Sequence, residues 1–288
     1  MKTEAETRPV EDHYILSRGF AANIRLNLQH YLWKDEVGYL LHPSIPLHVE
    51  GLSVADIGVG TGIWLVELSR VLRPSARLYG LDVSHAQCPP TEVMPSNIFL
   101  RIHDCLSEPP SDLIEQFDVI HLQCFNSVVP DNDPVPVVHK LMKMLKPGGY
   151  ISWSEFDFTS WKTTATASGT DYNDEANTLL EYNATLGHTR PKPNFMAHNW
   201  TARLPLTFET LGMREIVVDR HPFSREIATY LLDTFMVAGQ EISANVLDAI
   251  GGGQGDVARG LIEAVGRNRR NIELGLDRLT VIGRKPVA

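Results

Sequence analysis

With 288 residues, 43% hydrophobic and 21% charged side chains, and a formal net charge of −9, the chain reads as one large domain, or a domain with a cap, with ample length for a core. The acidic balance argues against a nucleic-acid partner, which calls for a basic face; the densest cationic group, Arg267, Arg269 and Arg270, reads as a solvated helix end. No apolar run reaches the length of a bilayer span, so no membrane partner is expected, and Met1 to Glu11 lacks the apolar core of a secretory signal.

Residues 1–47 are expected to form an N-terminal helical cap, and residues 48–288 the main domain. In the cap, Arg25-Leu26-Asn27-Leu28-Gln29-His30-Tyr31 and then Gly38-Tyr39-Leu40-Leu41-His42-Pro43 predict one or two helices and a turn. The main domain opens on Val54-Ala55-Asp56-Ile57-Gly58-Val59-Gly60-Thr61-Gly62-Ile63-Trp64. An apolar strand ends in an acid, Gly58, Gly60 and Gly62 alternate with small residues, and a helix begins. Glycine lets the backbone approach a ligand at the carboxyl end of a strand. A pyrophosphate-binding turn reads G-x-G-x-x-G. Here the carboxylate of Asp56 precedes a tighter G-x-G-x-G spacing and suits a cation or an amine; S-adenosylmethionine carries both a sulfonium and an ammonium.

The next elements alternate. Leu78 to Asp82 reads as a second strand ending in an acid, placed to hold ribose hydroxyls, with Val83 beside it. Ile98 to Cys105 reads as a third strand ending in Asp104. Phe117 to Gln123 reads as a fourth. Leu141 to Gly149 closes a helix with a Pro-Gly-Gly stop and leads into a fifth strand, Tyr150 to Glu155.

These five elements, in this order, resemble the class I S-adenosylmethionine-dependent methyltransferases. The resemblance implies an α/β, Rossmann-like, seven-stranded methyltransferase fold: a mostly parallel sheet with an antiparallel last strand, an N-terminal helical cap and an aromatic-rich helical lid. It implies S-adenosylmethionine as cofactor, held by Asp56, Gly58, Gly60, Gly62, Asp82, Val83, Asp104, Cys105 and Gln123, with Asp104 on the adenine amino group. From about Tyr14 to about Asp157 the chain is also similar to methyltransferases of fungal natural-product clusters, relatives of the LaeA-like regulators among them. In such enzymes the N-terminal helices close over the cofactor. Arg25 is then a partner for the cofactor's carboxylate, or else a surface helix residue. Tyr14 is a cover for the sulfonium, or else a packing aromatic. Those relatives often carry His-x-Arg after the fourth strand, where this chain has His121-Leu122-Gln123; losing that cation favours Arg25 as the carboxylate's partner. His121 itself reads as a satisfied strand-end histidine.

Beyond Glu155 the alternation pauses. Residues 156–212 form a ring-rich insertion, either an acceptor lid or a satellite core. Within it, Asp171 to Leu186 has helical spacing and Gly187 to Pro193 reads as a loop; Trp200 to Leu211 looks helical, with Gly212 ending it. A strand from Arg214 to Asp219, helices between about Ser224 and Asn271 broken by Gly251 to Gly255, and a last strand, Arg278 to Arg284, complete the order. The acceptor pocket is expected among Trp153, Glu155, Trp161, His198 and Trp200, facing Tyr14.

Methyl transfer is an in-line displacement, for which positioning alone supplies about 7–11 kcal/mol. A hydroxyl acceptor also needs a base, and Glu155 and His198 are the candidates, with His188 near them. Cys88, Cys105 and Cys124 have no metal or disulfide spacing, so metal-independent activity in a reduced, cytoplasmic setting is expected. The reading is methylation, at O, N or S, of a small and largely apolar natural-product acceptor in secondary metabolism. Two alternatives stand beside it: a cyclase or pericyclase that keeps the cofactor without transferring its methyl, and a LaeA-like regulatory subunit. Oligomeric state is open.

Overall fold

The central strands are apolar throughout, as strands covered on both faces must be. β1 (Ser53–Ile57) is buried at every position. β2 (Arg77–Asp82) and β3 (Ile98–Ile102) lie to one side of it; β4 (Phe117–Gln123) and β5 (Leu145–Phe156) lie to the other. All five run parallel. β9 (Arg278–Arg284) is inserted antiparallel between β5 and β7 (Arg214–His221), giving the order β3-β2-β1-β4-β5-β9-β7. This is the expected seven-stranded sheet with its antiparallel last strand. The computed structural model describes residues 14–165, 178–179 and 199–287.

Helices fill the crossovers. α1 (Phe20–Val37) is a single helix ended by Gly38 at φ 78°, whose amide donates to Lys34 O at 2.9 Å. α2 (Ile63–Val71) starts after Gly62, and α3 (Val135–Met144) starts where the Asp133 carboxylate accepts the Val135 amide at 3.1 Å. The Pro-Gly-Gly sequence does not delay the fifth strand. β5 begins at Leu145, and Gly149 lets it hug β4, since a Cβ there would lie 3.0 Å from Asp118 O; the pairing register shifts at that point.

The C-terminal half builds a second layer. α4 (Leu204–Thr210) follows a 3-10 turn from Trp200 and is closed by Gly212 at φ 83°, as the sequence predicts. α5 (Ala228–Ile242) runs into a π-helical turn, Ser243–Leu247, and α6 (Gln254–Asn268) follows the glycine loop. A two-stranded antiparallel sheet of β6 (Lys162–Ala165) and β8 (Ile272–Gly275) is absent from the sequence reading. The cap is tied to the sheet by Arg278, 1% exposed, which donates to Glu36 at 3.0 Å and lies over the rings of Trp33 and Phe156.

Trp153 and Trp200 are core residues, which corrects their expected place in the acceptor pocket. Both are fully buried, with ring centroids 5.0 Å apart. Strand alternation puts Trp153 on the same face as Glu155 but two residues deeper, under Phe125 and Trp200. Trp200→Ala is therefore expected to lower unfolding free energy by about 3–5 kcal/mol in denaturant titration. A loss below about 1 kcal/mol would show that the ring is not packed as described.

Candidate cofactor and acceptor site

The carboxyl ends of the first five strands open into one cavity of about 340 Å³. It sits where strand order reverses between β1 and β4, the crevice in which open α/β sheets hold ligands.

Its floor is the glycine turn. Gly58 (φ 73°) and Gly60 (φ 53°) line the cavity in the left-handed region that side chains disfavour. Gly58 donates its amide to Leu81 O at 2.8 Å. Asp82 braces the turn from β2: its Oδ2 accepts the Gly60 amide at 3.3 Å, and its Oδ1 accepts the Ser84 amide at 3.1 Å. Burial raises the Asp82 carboxyl above its ordinary value, with those amides opposing the rise. Asp104 also lines the cavity, its carboxylate accepting the Leu106 amide at 2.8 Å and the Ser107 hydroxyl at 3.0 Å. Val83, Cys105 and Gln123 complete this end. Burial pushes the Cys105 thiol up to about 12, so it is a protonated wall group. Next to Asp104, His103 lines the cavity with its imidazole held by burial below its ordinary value, and the sequence reading did not single it out.

Two residues expected at the cofactor stand elsewhere. Asp56 is buried on the face of the sheet under α1 and α2, where His121 Nδ1 lies 2.8 Å from its Oδ1 and the His121 ring stacks on Trp64 at 3.8 Å. Strand alternation turns Ile57 to the cavity instead. His121 is thereby satisfied, as expected. Gly62 does not line the cavity; at φ 74° it opens α2.

The cap closes the cavity from above. Tyr14, Ile15, Leu16 and Arg18 line it as a strap, and Arg25 lines it from α1. Arg25 does not wait for a ligand's carboxylate. Its Nη2 and Nε donate to Glu241 of α5 at 3.0 and 3.3 Å, and both side chains are buried. The carboxylate that Arg25 holds in this structure is the chain's own, and its side chain is buried rather than on the surface. Burial raises the Tyr14 phenol, with Arg25 opposing.

At the other end the wall is aromatic. Phe156, Phe158 and Trp161 line it with Phe235 of α5, whose ring meets Phe156 at 5.6 Å and Trp161 at 5.7 Å. Glu155 stands at the β5 tip, as expected. Its Oε1 accepts the Phe125 amide at 2.6 Å and Trp153 Nε1 at 2.9 Å, which fixes the turn after β4. His188 and His198 lie outside the described residues, as does most of the segment from Asp171 to Pro193. Phe235, Ala238 and Ile242 went unnoticed in the sequence, although their i, i+3, i+7 spacing marks one helix face. Among the described residues no three His, Cys, Asp or Glu gather to hold a metal, and no helix is long and apolar enough to cross a membrane.

Sheet order, glycine turn and cavity define a Rossmann-like chain with a ligand crevice at its strand ends. Residues 54–149 match the methyltransferase domain family and are a methyltransferase domain. The chain is related to methyltransferases of fungal secondary metabolism. It is 34% identical to methyltransferase grgD of Penicillium sp over 54% of this chain and 57% of that protein. It is 29% identical to N-methyltransferase gliN of Aspergillus fumigatus over 50% and 51%, and 30% identical to secondary metabolism regulator LAE1 of Hypocrea atroviridis over 40% and 33%. The alignments thus span between a third and little more than half of these curated relatives. A chain from the solved complex of the Haloferax volcanii Trm112 methyltransferase activator shares the fold, with a TM-score of 0.52 and 16% identity over 96% of this chain and 99% of that one.

Proposed function

We propose that this chain moves a methyl group from S-adenosylmethionine to a small, largely apolar natural-product acceptor. One observation carries the reading: a single cavity joins the glycine turn, Asp82 and Asp104 to an aromatic wall of Phe156, Phe158, Trp161 and Phe235. Asp82 takes the ribose hydroxyls and the residues around Asp104 take the adenine. With the donor held there, the aromatic wall of Phe156, Phe158, Trp161 and Phe235 would exclude water and orient a flat acceptor beside it. The methyl leaves as its bond to sulfur breaks and its bond to the acceptor forms; the product is S-adenosylhomocysteine.

A nitrogen acceptor is the form we favour, because relatives such as gliN are N-methyltransferases by name. Glu155 acts here mainly by holding the turn after β4, since one of its oxygens already accepts two N–H groups. The test is incubation with methyl-labelled S-adenosylmethionine and a panel of small aromatic amides, amines and phenols. Label in the small-molecule fraction, with matching S-adenosylhomocysteine, is expected for a nitrogen acceptor. Label appearing only with phenols would reject the choice of atom; cofactor binding without transfer to any acceptor would reject methyl transfer.

A further inference from the structure

We infer that Glu241 is a positioning residue for the cofactor: with Arg25 and Asn245 it latches residues 14–18 across the cavity. Affinity for the methyl donor then depends on a carboxylate that does not itself line the site. The inference rests on the cofactor reading above and adds to it a part of the chain outside the matched residues 54–149.

The strap belongs to no helix or strand and bends at Leu16, yet four of its residues form cavity wall. Its anchors come from the C-terminal layer. Glu241 Oε2 accepts the Ser17 amide at 3.2 Å and Arg25 Nη2 at 3.0 Å, while its Oε1 accepts Arg25 Nε at 3.3 Å. One turn on, Asn245 Nδ2 donates to Ile15 O at 3.1 Å and to Ser17 Oγ at 3.2 Å. Asn245 reaches the strap from the π-helical turn Ser243–Leu247, a local widening often found at functional sites. Arg18 lies over the Tyr14 ring at 5.0 Å.

Charge and burial make the latch decisive rather than decorative. The Arg25–Glu241 pair is almost fully withdrawn from water, and removing one partner of such a pair strands the other. The same helix, α5, presents Phe235, Ala238 and Ile242 to the acceptor end, so it spans both halves of the cavity. A ligand that needs the closed strap binds with its affinity reduced by the fraction of time the strap is closed.

The experiment uses the full chain, S-adenosylhomocysteine as probe, and two variants. E241Q removes the charge but keeps shape and an acceptor oxygen. N245A removes two strap contacts from an exposed position, away from the buried pair. Calorimetry is expected to show the dissociation constant rising about tenfold for E241Q and about threefold for N245A, as a closed fraction of about one-tenth and one-third requires. Trypsin cleavage after Arg18 is expected to quicken in the same order, and saturating S-adenosylhomocysteine to slow it again. The N245A thermal midpoint should stay at the wild-type value, so lost affinity there is not lost folding. Wild-type affinity and wild-type cleavage in N245A would overturn the latch, whatever the fate of E241Q. A wild-type chain that does not bind S-adenosylhomocysteine would instead reject the cofactor reading itself.

Discussion

Gly58→Val is expected to abolish cofactor binding in a chain that still folds. Gly58 sits at φ 73°, where an L side chain costs about 1–2 kcal/mol. A Cβ there would lie 2.7 Å from Phe125 Cε2, inside contact distance, so the Phe125 ring has to shift. That ring belongs to the turn whose amide is fixed by Glu155, and forcing atoms into such a packed site costs about 1–3 kcal/mol more. The added branches also enter the cavity that the bare backbone leaves open. Strain and clash lower stability, while the branches in the cavity are expected to push affinity for S-adenosylhomocysteine down by at least about 100-fold, about 2.8 kcal/mol at about 1.4 kcal/mol per factor of ten. Circular dichroism checks the fold and calorimetry the affinity. A folded variant with wild-type affinity would mean that the turn does not touch the ligand.

The second large effect is at Asp82. Asp82→Asn should weaken binding by about 10- to 150-fold, the worth of charge-assisted hydrogen bonds at about 1.5–3 kcal/mol. The amide also places an NH₂ against the Gly60 or Ser84 amide, which loosens the turn. A pH dependence follows. Burial lifts the native Asp82 carboxyl above its ordinary value of 3.8, so the protonated form is favoured in the folded chain and ionising it costs stability as pH rises through that window. Ligand binding has the opposite sign. Ribose hydroxyls need the carboxylate as acceptor, so affinity should fall as pH drops through the raised value. The Asp82→Asn variant should show a flat profile there. An acid limb that persists unchanged in the variant would assign the titration to another group.

The architecture was largely legible in the sequence because the central strands are covered on both faces and so are written as apolar runs ending in Asp56, Asp82 and Gln123. The glycine turn was legible because few other residues tolerate positive φ at three alternate positions. Asp56 follows the same alternation as its neighbours, and the register that sets it opposite His121 is decided by strand pairing, which motif spacing does not encode. Trp153 and Trp200 looked like pocket residues because large rings serve core and pocket alike; only their mutual contact separates the two. The Arg25–Glu241 pair joins positions 216 residues apart, and nothing local to either announces the other. β6 and β8 are four-residue strands, too short for a periodic signal to stand out.

The central claim is that the cavity above β1, β2 and β4 is built for S-adenosylmethionine. Calorimetric titration of the purified chain with S-adenosylhomocysteine tests it most directly, with Asp82→Asn and Gly58→Val as paired controls. The account predicts one site per chain, weakened in the first variant and lost in the second. Absence of saturable binding to the folded wild-type chain, or equal binding in all three proteins, would contradict it.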